Sequence, residues 1–194
     1  MGKAYIAVIG KTCAGKETFG KILREEFAGK VNISSHRFSD PLNETLDVLH
    51  LPKSRPNQQL LSTKLREAFG EEILGDALHR RAEANNADLL FFDGVRRPQD
   101  VVMLRRLPKS IVVYIISSAE VRFERLKKRA DRPGDAEKTW DEFLAEQAAE
   151  SESRIDEIAK LADIRIENPN EEDPQFPNFR SKIRELLQAR VNLV

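Results

Sequence analysis

Continuous apolar runs alternate with stretches of helical period along this chain. Residues 5–9, 89–92 and 111–116 are apolar almost throughout and short. Runs of that kind fit strands covered on both faces, as in a parallel sheet. Residues 31–38 and 163–167 are more mixed and predict two further strands. Between the runs, apolar side chains recur every three or four positions. Phe19, Ile22, Leu23 and Phe27 form one stripe, Leu42, Leu46 and Leu49 a second, and Val101, Met103, Leu104 and Leu107 a third. Residues 57–86 also have helical spacing and predict two helices that meet near Gly70 or Gly75. Ser117 with Glu120 and Thr139 with Glu142 have the spacing of capping boxes. They predict a helix over Val121, Phe123 and Leu126, and one long helix from Trp140 through Phe143, Leu144, Ala148 and Ile155 to Ile158. Asp40 before Pro41 predicts a capped helix start. A closing helix is expected over 179–191. Strands alternating with helices imply a parallel sheet with helices on both faces and ligands at the carboxyl ends of the strands.

The loop after the first run has a composition of its own. Gly10-Lys11-Thr12-Cys13-Ala14-Gly15-Lys16-Glu17-Thr18 joins a strand to a helix, the context of a phosphate-binding P-loop. Its glycines allow a tight turn that points N–H groups inward, and the helix N-terminus adds partial positive charge. Lys16 is placed to reach the β- and γ-phosphates of a nucleotide. The usual Ser or Thr after the lysine is replaced by Glu17, with Thr18 next. A carboxylate there repels phosphate unless it turns away or meets metal-bound water. Thr18 is therefore expected to touch phosphate, with magnesium held mostly through water. Cys13 reads as a small residue that fits the loop.

Composition narrows the classes. The chain has 194 residues, with 32 Lys plus Arg against 32 Asp plus Glu. Zero formal net charge gives no support to a nucleic-acid or membrane-surface role. A single Cys excludes a disulfide framework and fits a reducing cytoplasm. No apolar run approaches membrane-spanning length, and the first run is too short for a signal peptide.

Three further stretches complete a pattern. Phe92-Asp93-Gly94-Val95-Arg96-Arg97 ends a strand in an acid followed by arginines. Arg122, Arg125, Arg129 and Arg132 lead from a helix into a polar loop with Pro133-Gly134. Ala162-Asp163-Ile164-Arg165-Ile166-Glu167-Asn168 closes the sheet. With the P-loop, these resemble the nucleoside monophosphate kinase group of P-loop phosphotransferases. Gly15-Lys16-Glu17-Thr18 and Phe38-Ser39-Asp40-Pro41-Leu42, with Gln58-Gln59 and Leu65-Arg66, look like phage-type deoxynucleoside monophosphate kinases. Asp93-Gly94-Val95-Arg96-Arg97 is similar to the Asp-Gly-x-Pro-Arg of adenylate kinases. The closing Ala-Asp-x-x-Ile-x-Asn is similar to dephospho-CoA kinases, whose next loop packs on the ATP base.

The resemblance implies one domain over 1–194. It would be a three-layer α/β/α P-loop fold with a five-stranded parallel sheet, a helical acceptor-binding insert at about 40–86 and a small lid at about 125–138. It implies an ATP- and Mg²⁺-dependent kinase acting on a nucleoside or deoxynucleoside monophosphate, with dephospho-CoA as the second acceptor. Small-molecule nucleotides are the expected partners, and monomer and homodimer both stay open. Lys16, Asp93, Arg125 and Arg129 are the expected catalytic residues. Gly10, Thr12, Cys13, Ala14, Gly15, Glu17, Thr18 and Asn168 join Lys16 and Arg125 around ATP. Thr18 and Asp93 serve the metal, Asp93 through water. Ser39, Asp40, Arg55, Arg66, Arg96, Arg97 and Arg132 face the acceptor, with either Arg96 or Arg97 as its phosphate clamp. The basic run from Arg122 can also be read as a solvated helix face. Arg125 and Arg129, at i and i+4, repel unless an anion lies between them, which favours a lid. They are expected to approach the phosphates only when both substrates are bound. Gly94 after Asp93 counts against a water-activating ATPase, and Glu17 leaves open a nucleotide-binding protein without turnover.

Overall fold

A single five-stranded parallel sheet, ordered β2-β3-β1-β4-β5, carries the fold. Its strands are β1 (Ala4–Ile9), β2 (Ile33–Arg37), β3 (Leu89–Asp93), β4 (Ser110–Ile116) and β5 (Ile164–Glu167). The computed structural model describes residues 3–129, 135–147, 150–169 and 176–190. Arg132 and the Pro133-Gly134 pair of the expected lid lie outside the described residues.

The apolar runs become central strands because alternate side chains feed two cores. Ala4, Ile6 and Val8, with Leu89, Phe91, Val113 and Ile115, face one side. There they meet Phe19, Ile22 and Leu23 of α1 (Lys16–Glu26) and Phe179 and Ile183 of α9 (Pro177–Arg190). Tyr5, Ala7 and Ile9, with Leu90, Phe92 and Val112, face the other side. They meet α4 (Ile73–Ala84), α5 (Pro98–Arg105) and α8 (Glu150–Ala159). This is the expected three-layer α/β/α architecture.

The insert is formed by α2 (Asp40–Val48), α3 (Arg55–Phe69) and α4. Gly70, at a φ of 96°, ends α3, whereas Gly75 lies inside α4 against Met103. The break is therefore at Gly70. Leu42 and Leu46 are buried, but Leu49 sits at the end of α2 and is exposed. Asp40 does not cap α2. Its carboxylate accepts the Arg37 N–H at 2.7 Å and ties off the β2 end instead. The box at Thr139 and Glu142 forms as read, ahead of α7 (Trp140–Gln147). The one at Ser117 does not. Ser118 Oγ accepts the Val121 N–H at the start of α6 (Ala119–Arg129), which leaves Ser117 for another task. The expected long helix is described as two, α7 and α8, with 148–149 outside the described residues.

Ion pairs lock α9 to α1. Arg180 donates to Glu25 and Glu26, and Arg184 to Glu26 at 2.7 Å. The Arg180 hydrogen bond holds the Glu25 carboxyl below the ordinary carboxylate range, and the Arg184 hydrogen bond does the same for Glu26. A carboxylate depressed in the folded state adds stability that is present above its unfolded pKa of 4.5 and is lost as pH falls through the folded value. Thermal unfolding should therefore shift to lower temperature below about pH 4.5, and Arg184→Ala should flatten that acid limb. A variant whose acid limb matches that of the parent would show that these pairs do not carry it.

Candidate active site

Each strand delivers a polar group to the same edge of the sheet. β1 runs into the Gly10 loop, β2 reaches Ser39, β3 ends at Asp93, β4 leads to Ser117 and β5 to Asn168. Arg37 stands beside Asp93 in the β2–β3 register.

The P-loop is built from backbone geometry that its residues permit. Cys13 has a φ of 61° and Gly15 one of 105°, the left-handed region. At Gly15 no side chain fits: a Cβ there would lie 2.0 Å from Asn168 Nδ2. That amide is 3% exposed and donates to the Ala14 carbonyl at 2.8 Å. Asn168 thus braces the loop from beneath, and its side chain also borders the cavity above. Lys16 Nζ donates to the Gly10 carbonyl at 2.7 Å and to that of Lys11 at 3.0 Å. Its charge stands at the mouth of the loop, where incoming phosphates compete for it. Burial pushes the Cys13 thiol up, against the pull of Arg129 and Lys16, so the group stays a neutral filler.

Glu17 turns away from the loop. Its carboxylate pairs with Arg129 Nη1 at 3.1 Å, and both side chains are well exposed. The expected repulsion is met by that cation. Arg125 is docked on the loop. Its Nη1 donates to Ser117 Oγ at 3.1 Å and Cys13 O at 3.5 Å, and its Nη2 to Pro169 O at 2.7 Å and Asn168 Oδ1 at 3.4 Å. Arg122 acts with it. Only 5% exposed, it donates to the carbonyls of Ser117 and Thr12, bonds Gln147, and lies 5.5 Å from the Phe143 ring. Two arginines of the basic run therefore hold the P-loop backbone.

The opposite wall comes from β3, α5 and the insert. Asp93 accepts the Gly94 N–H at 2.7 Å. Arg96 and Arg97 are positioned through their backbones, since Asp100 Oδ2 accepts both N–H groups, at 2.8 and 3.0 Å. Burial raises the Asp100 carboxyl, and these two bonds oppose the shift. Arg97 Nη1 also reaches Glu71 at 3.0 Å.

These groups surround one cavity of about 1400 Å³. Single small-ligand sites run to about 1000 Å³, so there is room for two. Thr12, Cys13, Gly15, Lys16, Glu17, Thr18, Asp93, Arg125, Arg129 and Asn168 line it, and so do Ser39, Arg55, Arg96 and Arg97. Gly10 and Ala14 contribute only backbone carbonyls, which accept from Lys16 and Asn168. Asp40 does not line the cavity, and Arg66 sits behind its wall against Ser62. Arg37, Lys53, Lys128, Arg154 and Phe176 line it without having been read from the sequence. Arg37, at a strand end just before Ser39, could have been found. Arg154, far along on α8, carried no local signal. In all, ten basic side chains face two acidic ones, in a chain of zero net charge. Such a concentration of guanidinium groups suits phosphate oxygens.

Among the described residues no group of three or more His, Cys, Asp or Glu side chains could hold a metal ion. The Thr18 hydroxyl and Asp93 carboxylate are hard oxygen donors on the cavity wall. They fit a magnesium ion whose other ligands are phosphate and water. No helix among the described residues is long and apolar enough to cross a membrane.

The sheet order, the loop and its lysine define a P-loop domain with a kinase-like, nucleotide-binding architecture. The chain belongs to the AAA domain family, which matches residues 6–163. It is similar to a UPF0200 protein of Hyperthermus butylicus, 26% identical over 90% of this chain and 90% of that one. It is also similar to UPF0200 protein PH1008 of Pyrococcus horikoshii, 28% identical over 94% and 95%. Among solved structures it resembles shikimate kinase from Bacteroides thetaiotaomicron, with a TM-score of 0.60 and 19% identity over 95% and 98% of the two chains. TT1252 from Thermus thermophilus gives a TM-score of 0.61 and 16% identity over 99% and 100%. At such identities the likeness establishes the fold alone.

Proposed function

We propose that this protein is an ATP-dependent kinase that transfers the γ-phosphoryl group to a phosphorylated small molecule. A nucleoside or deoxynucleoside monophosphate is the first acceptor class and dephospho-CoA the second. The observation that carries the reading is the shared, strongly basic cavity between the P-loop and the helical insert.

Phosphoryl transfer is mostly positioning and charge stabilisation. The loop amides and Lys16 hold the donor phosphates, while Arg122, Arg125 and Asn168 keep the loop in shape. Arg96 and Arg97, fixed by Asp100, place the acceptor in line. An acceptor oxygen forms a bond to the γ-phosphorus as the bond to the β-bridging oxygen breaks, and ADP leaves. Arg129 stands where it can exchange Glu17 for the charge that spreads over the transferring group. Magnesium, when bound through Thr18 and Asp93, neutralises part of the phosphate charge.

A coupled assay of ADP release, with ATP and a panel of nucleoside monophosphates and dephospho-CoA, tests the reading. Acceptor-dependent ADP release supports it. Tight ATP binding without release under any acceptor would favour a nucleotide-binding protein without turnover, the role that the Glu17–Arg129 pair would suit.

The clamp can be tested separately. A guanidinium fork on a phosphate is poorly replaced by a point charge. Arg97 is the better placed of the pair, because its head group already faces Glu71 beside Arg66. Arg97→Lys should raise the acceptor KM about tenfold or more and leave the KM for ATP nearly unchanged. If Arg96→Lys shows that pattern instead, the clamp is Arg96.

A further inference from the structure

The acceptor wall includes a helix with an unusual face. Arg55, Gln59, Ser62 and Arg66 recur at intervals of four, three and four residues, so they share one face of α3. The first three line the cavity, and Arg66 lies against Ser62. No residue of α3 is buried. This face therefore runs as a polar strip along the insert with a cation at each end.

The two ends cannot serve one phosphate. Arg66 Nη1 donates to the Ser62 carbonyl and also meets Ser62 Oγ, which pins its head at that level. Ser62 is seven residues from Arg55, about 10 Å along the helix axis. Helical side chains lean toward the N-terminus, so Arg55 leans further away.

Each end is cationic and faces the cavity, through Arg97 and Arg154 at one end and Arg55 at the other. At the far end Arg66 Nε is buried without a hydrogen-bond partner. Burial, with Arg97 and Arg154 nearby, lowers its pKa. The carboxylate that approaches Arg66 and Arg97 is Glu71, at 3.9 and 3.0 Å, and Glu71 itself is mostly exposed. At the near end Arg55 has no hydrogen-bond or ion-pair partner among the described residues, whereas neighbouring Lys53 is held by Asp47 at 2.7 Å. Between the ends stand an amide and a hydroxyl, with no aromatic ring on the strip to stack a base.

We propose that the acceptor carries two separated anionic groups, the reacting one against Arg97 and Arg154, in front of Arg66, and the second at Arg55. A hydroxylated frame joins them along Gln59 and Ser62. This rests on the kinase reading and narrows its acceptor class from a monophosphate to a bis-anionic compound.

Titration calorimetry on the full chain tests it, in magnesium and a saturating non-hydrolysable ATP analogue. Fructose 6-phosphate is compared with fructose 1,6-bisphosphate, and adenosine 5′-monophosphate with adenosine 3′,5′-bisphosphate. In at least one pair the bisphosphate should bind about tenfold tighter or more, the scale of one added charged hydrogen-bond contact. Which pair responds tells a sugar frame from a nucleoside frame. Arg55→Ala should bring that ratio to about one, and Arg66→Ala should weaken both members of the pair. Equal affinities within both pairs, no binding by any of the four, or a ratio unchanged in Arg55→Ala would overturn the two-anion acceptor while the ATP analogue still binds. Failure of the ATP analogue to bind would overturn the kinase reading, and this inference with it.

Discussion

Lys16→Ala will abolish phosphoryl transfer in a protein that still folds. The ammonium is held at the loop by the carbonyls of Gly10 and Lys11 at 2.7 and 3.0 Å. Those contacts orient it at the loop. In the proposed kinase, donor phosphates would displace the carbonyls, and the contact would strengthen as charge shifts toward the β–γ bridge. Removing one preorganised donor of that kind costs about a hundredfold to a thousandfold in kcat. The side chain is not part of either apolar core, so unfolding should change by no more than about 0.5 kcal/mol. Turnover and a circular-dichroism melt on the same sample check both halves. Near-normal turnover in a folded variant would refute the P-loop assignment.

Gly15→Ala should eliminate nucleotide binding by a different route, through the backbone. The residue has a φ of 105°, and its Cβ would stand 2.0 Å from Asn168 Nδ2. Left-handed backbone costs a non-glycine residue about 1–2 kcal/mol. The clash adds to that, because Asn168 is not a flexible surface chain that can swing aside. Its amide is buried and fixed on Ala14 O at 2.8 Å, and its Oδ1 accepts from Arg125 at 3.4 Å. Either the loop moves or that bridge breaks, and both spoil the cradle. Fluorescent ATP-analogue titration should show binding lost. The double variant Gly15→Ala/Asn168→Ala supplies the check. At Asn168 Cβ the added methyl is in ordinary contact, 4.0 Å away, so truncation relieves the clash and leaves the φ strain. The double variant should then be more stable than the sum of the singles, a coupling of about 0.5–3 kcal/mol. Strict additivity would mean that the two residues do not meet.

In the proposed kinase, the effects of the P-loop and clamp variants should separate, because the two walls of the cavity are built differently. The donor wall is a loop whose carbonyls are tied by Arg122, Arg125 and Asn168, so damage there falls on ATP. The acceptor wall is held by Asp100 and by an insert that buries little of α3, so damage there falls on the second substrate.

Local pattern determined much of this protein. Period and length fixed the elements: short apolar runs without alternation fit strands covered on both faces, and the glycines around Lys16 allow the tight turn between strand and helix. The five-stranded parallel sheet, the P-loop and the helical insert were legible for that reason, as was the place of Lys16, Asp93, Arg96 and Arg97 on one cavity. What the tertiary structure decided is which charges meet. Glu17 looked like a misfit beside phosphate until Arg129, more than a hundred residues away, was found across from it at 3.1 Å. Asn168 was read as a nucleotide contact; it borders the cavity, and its amide also braces Ala14. Arg125 was read as a lid residue, and from α6 it ties the P-loop to the residues after β4 and β5. Asp40 was read as a cap and an acceptor ligand, yet its carboxylate accepts the Arg37 N–H and the residue does not line the cavity. Arg154 gave no sign in its own helix and reaches the cavity only because α8 packs beside β1 and α5. A side chain's partner depends on the register of distant strands and the packing of helices between them, and no window along the chain contains that information.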